Sequence, residues 1–215
     1  MTNFMKKILQ SKIIWRLTGL TYATAIIATN GRYVTKDKYI DIAKDEMKVF
    51  LPFFSKKKTV LEFGCGPGKN LFSISNVIKT GYGIDINDGY IRLANKLAKK
   101  YNYDNIHFVP YNGSDFPDIP KVDVIFEKGV FERLNDEMVK IYIKKLKEYL
   151  NENGIIIIYF LMEKAMNTEF TKRLGNMAYF FWNHNKIENV LKSNNLATKE
   201  VINGQYADYY VCEKI

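Results

Sequence analysis

Acids stand at the ends of apolar runs in this chain, and the first of them leads directly into glycines on alternate positions. The stretch Val60-Leu61-Glu62-Phe63-Gly64-Cys65-Gly66-Pro67-Gly68-Lys69-Asn70 carries Glu62 and then glycines at 64, 66 and 68. Glycine has no Cβ, so such a loop turns tightly and lets a ligand approach the backbone. Asp85 closes a second run, Gly81-Tyr82-Gly83-Ile84, about twenty residues further on, the distance at which an acid reaches a ribose. One carboxylate accepts hydrogen bonds from two adjacent hydroxyls, which suits a ribose diol. The same acid could instead cap the following helix, although Asn87 and Asp88 are better placed for that. The chemistry indicated is the holding of a nucleotide-like cofactor.

Rival templates fit the loop poorly. A phosphate-cradling P-loop needs a glycine at the position of Phe63 and a hydroxyl at that of Asn70. The dinucleotide fingerprint accepts Gly64 and Gly66, but its third glycine falls on Lys69, one residue after Gly68. ATP, GTP and nicotinamide cofactors are therefore disfavoured.

The run Glu62-x-Gly64-x-Gly66-x-Gly68 resembles the first motif of the class I S-adenosylmethionine-dependent methyltransferases, and three further segments follow in that family's order. Gly81–Asn87 resembles the second motif. Asp115-Phe116-Pro117-Asp118-Ile119-Pro120 resembles the acidic, proline-containing segment after the third strand. Val122–Leu134 is similar to the fourth strand and the segment beyond it. The resemblance covers roughly residues 58 to 213 and implies S-adenosyl-L-methionine as cofactor, with S-adenosyl-L-homocysteine as product. It implies cofactor contacts from Glu62, Gly64, Cys65, Gly66, Gly68, Asp85, Ile86, Asp115, Phe116 and Glu127. Within that set Glu62 would neutralise or water-bridge the ammonium group, and Asp85 would hold the ribose. Asp115 would face the adenine amino group while Phe116 packs on the ring. Residues 115–120 are equally suited to an acidic surface turn. Two departures stand out: Arg133 occupies a place where the family often has histidine, and Glu127 is bulkier than the residue usual at that strand end.

Methyl transfer from a sulfonium is an in-line displacement that needs no nucleophilic side chain, and a general base only for an acceptor that keeps its proton near neutral pH. His107 and His184 are the two histidines. His184, just before a helix that Asn183 or Asn185 could cap, is the candidate base. The neighbouring Tyr179, Phe180, Phe181 and Trp182 could line an acceptor pocket or belong to the core. Tyr33 and Tyr39 could reach the cofactor from the N-terminal side. No metal-ligand spacing is present.

The 215 residues, 47% hydrophobic and 14% aromatic, suit one domain with a substantial core and exclude a disordered chain. A net charge of +9 raises the possibility of an anionic partner such as RNA. The positive residues are mostly lysine, however, whereas specific nucleic-acid recognition leans on arginine. Phe126-Glu127-Lys128-Gly129 stands where methylases of nucleobase amines carry N/D-P-P-Y/F. The expected function is therefore methyl transfer to O, N or C of a small-molecule acceptor. The alternatives are an RNA methyltransferase or a non-catalytic S-adenosylmethionine-binding protein. Cys65 and Cys212 suggest no disulfide framework, and a reduced, cytoplasmic setting is expected.

The elements that must position these residues are legible as periodicities. Met5, Leu9, Ile13 and Leu17 recur every four residues, an amphipathic helix expected to pack on the rest. The basic residues Lys6, Lys7, Lys12 and Arg16 precede an apolar run over 17–29 that is shorter than the ~20 residues of a membrane span. A second helix is expected over 36–54. Strands are predicted near 58–63, 81–85, 106–109, 122–127, 154–160, 198–203 and 207–213. Helices are predicted near 69–78, 88–101, 136–150 and 184–195. Such alternation signals a parallel sheet covered on both faces. The family resemblance makes it a Rossmann-like doubly wound sheet of seven strands in the order 3-2-1-4-5-7-6, the last antiparallel. Residues 1–54 form an N-terminal helical cap in this reading, and 55–215 the methyltransferase domain.

Overall fold

Thr59–Phe63, strand β1, is buried at four of its five positions, as the sequence Thr-Val-Leu-Glu-Phe requires of a central strand covered on both faces. The computed structural model describes residues 18–30, 33–113, 115–169 and 179–215. The amphipathic segment through Met5, Leu9 and Ile13 lies outside these.

The chain divides into two compact units, one ending at Asp118 and one beginning at Ile119. In the first, helices α1 (Tyr22–Asn30) and α2 (Lys36–Met47) precede β1. Then come α3 (Lys69–Ile74), β2 (Thr80–Asp85), α4 (Asp88–Lys100) and β3 (Ile106–Pro110). β1 pairs β2 in parallel with Phe63 opposite Ile84, and β2 pairs β3 with Asp85 opposite Pro110. This register brings the end of β1 beside Asp85.

The second unit contains β4 (Val122–Glu127), α5 (Asp136–Glu148), β5 (Leu150–Leu161), α6 (His184–Ser193), β6 (Leu196–Asn203) and β7 (Ala207–Lys214). β4 and β5 are parallel, and β7 runs antiparallel to both β5 and β6. The complete sheet has the order β3-β2-β1-β4-β5-β7-β6, as the resemblance implied. Ile156, Ile157, Ile158 and Phe160 of β5 are fully buried. Each such side chain stabilises the fold by about 1.5–3 kcal/mol.

Some boundaries depart from the periodicities. The helix expected over 36–54 is α-helical only to Met47 and continues as a 3₁₀ segment, Lys48–Phe53, that contains Pro52. Proline has no N–H to donate and cannot extend α-helical hydrogen bonding. α3 stops at Ile74, because the hydroxyls of Ser73 and Ser75 donate to the carbonyls of Asn70 and Phe72 and compete with the helical pattern. β5 begins at Leu150, ahead of the apolar run, at a register shift between Val122 and Val124 of its partner. Among the described residues no helix is long and apolar enough to cross a membrane.

Candidate active site

The glycine loop is folded over the end of β2 by two hydrogen bonds, from the amides of Gly64 and Cys65 to the carbonyl of Ile84 (2.8 and 3.1 Å). Gly64, Gly66 and Gly68 all have positive φ (74°, 53° and 90°), which explains why glycine recurs on alternate positions. Gly66 and Gly68 differ in their surroundings. A Cβ on Gly68 would lie 2.5 Å from Cζ and 2.8 Å from Cε1 of Phe108, so this glycine lets the loop lie on the β3 side chain. A Cβ on Gly66 would meet nothing nearer than the Thr29 methyl, at 3.5 Å. A side chain at Gly66 would thus make only an ordinary van der Waals contact, whereas at Gly68 there is no room for one.

Asp85 lies beside Gly66. Its Oδ2 accepts the Gly66 N–H and its Oδ1 the Asn87 N–H, each at 2.8 Å. Burial pushes its pKa up to about 6, against the opposing pull of the Asn87, Gly66 and Ile86 amides. Asn87 performs the cap: its Oδ1 accepts from the amides of Gly89 (2.9 Å) and Tyr90 (3.3 Å). The helix-cap reading of Asp85 is thereby removed.

Glu62 is buried, with its Oε1 accepting from Asn70 Nδ2 at 2.6 Å. Burial raises the Cys65 thiol well above its ordinary value, helped by the negative charges of Asp85 and Glu62. Asp115 is exposed and exchanges hydrogen bonds with Asn112 (N–H to Oδ1 2.8 Å, Oδ2 from Nδ2 3.0 Å). The next ring turns inward. Phe116 lies parallel to Phe63 at 6.0 Å between centroids and tilted on Tyr111 at 4.6 Å. A positive-φ glycine loop, a held carboxylate, a buried acid and an aromatic group thus occur in one unit, and they fit an adenosine-containing cation.

Sequence reasoning missed part of this surface. Thr29 of α1 donates to the Ala25 carbonyl at 2.8 Å and is hydrogen-bonded to the Tyr39 hydroxyl at 2.6 Å. Lys69 pairs with Glu46 of α2 at 3.0 Å. The hydroxyls of Thr18 and Tyr90 are hydrogen-bonded, and Gly19 packs on Gly89 at the start of α4. Tyr39 is buried, whereas Tyr33 is exposed and stands edge-on to Tyr22. The signal for these contacts is weak because none belongs to a local motif.

Residues 54–206, the greater part of the chain, match a family model described as a methyltransferase domain. The chain belongs to the methyltransferase-domain family. A curated relative named probable S-adenosyl-L-methionine-dependent methyltransferase TehB, from Haemophilus influenzae, is 34% identical over 113 residues. That match covers 51% of this chain and 37% of the relative, so the chain spans little more than a third of the relative's length. Among solved structures, magnesium protoporphyrin IX methyltransferase from Synechocystis with bound S-adenosylmethionine has a TM-score of 0.68 at 14% identity, covering 95% of this chain and 97% of the other. A TehB-like S-adenosylmethionine-dependent methyltransferase from Corynebacterium glutamicum has a TM-score of 0.59 at 16% identity, covering 88% and 92%. These two likenesses concern the fold.

In the second unit of this methyltransferase-family chain, Glu127 is buried at the end of β4, and its Oε1 accepts the amides of Val130 and, at 3.0 Å, Phe131. The bulky acid therefore turns into its own loop. Burial pushes its pKa up to about 8. Arg133 pairs with Glu132 at 3.3 Å and lies 3.9 Å above the Tyr179 ring. Trp182 is fully buried against Phe160 at 4.9 Å, so this member of the aromatic group is core. Asn183, not Asn185, caps α6 by accepting the Lys186 amide at 3.0 Å. His184 is largely exposed. Its Nδ1 is hydrogen-bonded to the Tyr210 hydroxyl, and its Nε2 lies 3.9 Å from Oδ2 of the buried Asp208. The imidazole borders a cleft of about 240 Å³ with Met162, Trp182 and Asp208. His107 is exposed on β3 beside Tyr82. Among the described residues no cluster of His, Cys, Asp and Glu could hold a metal ion.

Proposed function

We propose that this chain transfers the methyl group of S-adenosylmethionine to O, N or C of a small-molecule acceptor by in-line displacement. The observation that carries the reading is the pairing of the positive-φ Gly66 backbone with Asp85, whose carboxylate is fixed by amides on both oxygens. Bound cofactor supplies an electrophilic methyl on a sulfonium whose positive charge is neutralised by the reaction. The rest falls to the chain. Asp85 keeps acceptor capacity on both oxygens for the ribose hydroxyls. Glu62, steadied by Asn70, neutralises the ammonium group. Phe116, backed by Phe63 and Tyr111, offers a flat apolar face to the adenine, and Asp115 accepts from its amino group. Gly64, Cys65, Gly68 and Ile86 shape the backbone around these groups. Glu127 acts by holding the 128–131 loop. For an acceptor that must lose a proton, the candidate imidazole is His184, whose Nδ1 is engaged by the Tyr210 hydroxyl and whose neighbour Asp208 is held by Lys164 at 2.7 Å.

Proximity and orientation alone reach effective molarities of roughly 10⁵–10⁸ M, so an arrangement that chiefly holds its reactants is sufficient for methyl transfer. A small acceptor is favoured by the synechocystis neighbour, which is named for acting on a small molecule, and by the absence of a nucleobase-type motif after β4. Some exposed lysines pair with acids, as in Lys44–Asp41 and Lys140–Glu137 along helices and Lys199–Glu213 across strands, a pattern consistent with a solvated face. Calorimetry with S-adenosylmethionine and S-adenosylhomocysteine tests the cofactor site. Binding of both, lost in Asp85→Ala, is expected, and failure of both to bind would sink the proposal. Product analysis with a panel of small acceptors against structured RNA then tests the acceptor class, and methylation confined to RNA would overturn it.

A further inference from the structure

Lys69 stands where the dinucleotide fingerprint needs its third glycine, and the structure gives it another task. It is the first residue of α3, directly after the last loop glycine, and its side chain is largely buried at 13% exposure. Its Nζ lies 3.0 Å from Oε2 of Glu46 on α2 and 5.6 Å from the centroid of the Tyr39 ring on the same helix. A partly buried ammonium needs such partners, because desolvation disfavours an uncompensated charge. Tyr39 in turn shares a hydrogen bond with Thr29, whose methyl is the nearest neighbour of a Cβ built on Gly66. A chain of contacts therefore runs from the exit of the glycine loop, through Lys69 (paired with Glu46), Tyr39 and Thr29, back to the centre of the loop at Gly66.

We propose that Lys69 is a positioning residue of the cofactor site, fastening the glycine loop to the helical segment α1–α2 so that cofactor occupancy and the ordering of that segment are coupled. This rests on the cofactor contacts proposed above. The Thr18–Tyr90 hydrogen bond and the packing of Gly19 on Gly89 fasten the same segment at the start of α4, two residues beyond Asn87. The segment thus meets both the loop and the helix that follows the ribose acid. Thr29, Tyr39 and Glu46 become parts of the cofactor site although none lies in a glycine or acidic motif.

The test measures S-adenosylhomocysteine affinity by calorimetry, together with amide hydrogen exchange of residues 33–47 with and without that ligand. The variants are Lys69→Met, Glu46→Gln and the charge swap Lys69→Glu with Glu46→Lys. Each single variant is expected to bind about tenfold more weakly and to lose the ligand-induced protection of 33–47. The swap is expected to recover both, which a merely destabilised fold would not do. Single variants that bind like the parent, with the same protection, would overturn the coupling while leaving the cofactor assignment standing. A parent chain that fails to bind S-adenosylhomocysteine would overturn both.

Discussion

If Asp85 holds the ribose, cofactor affinity must follow its ionisation. In the folded chain burial places its pKa at about 6, so about one molecule in ten is ionised at pH 5 and nearly all at pH 7.5. If only the carboxylate form binds, the dissociation constant for S-adenosylhomocysteine should rise about tenfold between pH 7.5 and pH 5. Asp85→Asn removes the dependence and the affinity together. The amides of Gly66 and Asn87 point at opposite oxygens, so an asparagine NH₂ must face one of these donors. The hydroxyls also lose a charged acceptor, a hydrogen bond of about 1.5–3 kcal/mol each, and a total near 3 kcal/mol corresponds to roughly 100-fold weaker binding. Unfolding cannot mimic this result through Asp85 itself. Its folded pKa is raised above the unfolded value, so its contribution to stability is complete below about pH 4 and is lost as the pH climbs through 6. Calorimetric titrations at half-unit steps from pH 5 to 7.5 decide the matter. A dissociation constant flat within twofold across that range, or an asparagine variant that binds like the parent, would refute the reasoning.

Gly68→Ala places a side chain at positive φ and drives its Cβ into Phe108. Strain of about 1–2 kcal/mol and overpacking of about 1–3 kcal/mol should together lower the unfolding free energy by about 2–5 kcal/mol in urea melts. Glu127→Gln preserves an oxygen for the Val130 and Phe131 amides while removing a buried charge. The folded pKa of Glu127 is raised, so the parent loses stability as the pH rises from about 4.5 to 8. The variant should gain on it by about 2–5 kcal/mol over that range, and parallel pH profiles would exclude this account. His184→Ala leaves the buried Tyr210 hydroxyl without its imidazole and should cost about 1–2 kcal/mol in thermal melts. Most of that loss should be absent when the same change is made in Tyr210→Phe.

What was legible in the sequence was local chemistry. Alternate glycines announce backbone of positive φ, and Asn87 beside Asp85 separates the helix cap from the ligand acid, because each property belongs to residues a few positions apart. The strand order came from the ordered motifs rather than from any periodicity. What stayed hidden was decided by packing. Glu127 reads as an obstruction at a strand end until its oxygen is seen on the amides of its own loop. Lys69 and Glu46 lie 23 residues apart with no pattern linking them, so their pairing exists only once α2 and α3 are side by side. Trp182 shares its neighbours' aromatic character, and only its seat on Phe160 makes it core. The endings of α2 and α3 were missed for a smaller reason: one proline and two serine hydroxyls tighten or stop the helical turn after the apolar spacing has been read.

A protein that handles a methylating agent must also avoid being methylated by it. Cys65 stands within the loop assigned to that agent, and sulfur in its thiolate form is the strongest nucleophile an amino-acid side chain offers. The environment keeps the proton on. Apolar burial and the two nearby carboxylates all disfavour a second negative charge, and the side chain is only 4% exposed. The same acids that recommend the loop for a cation therefore protect the chain from self-alkylation.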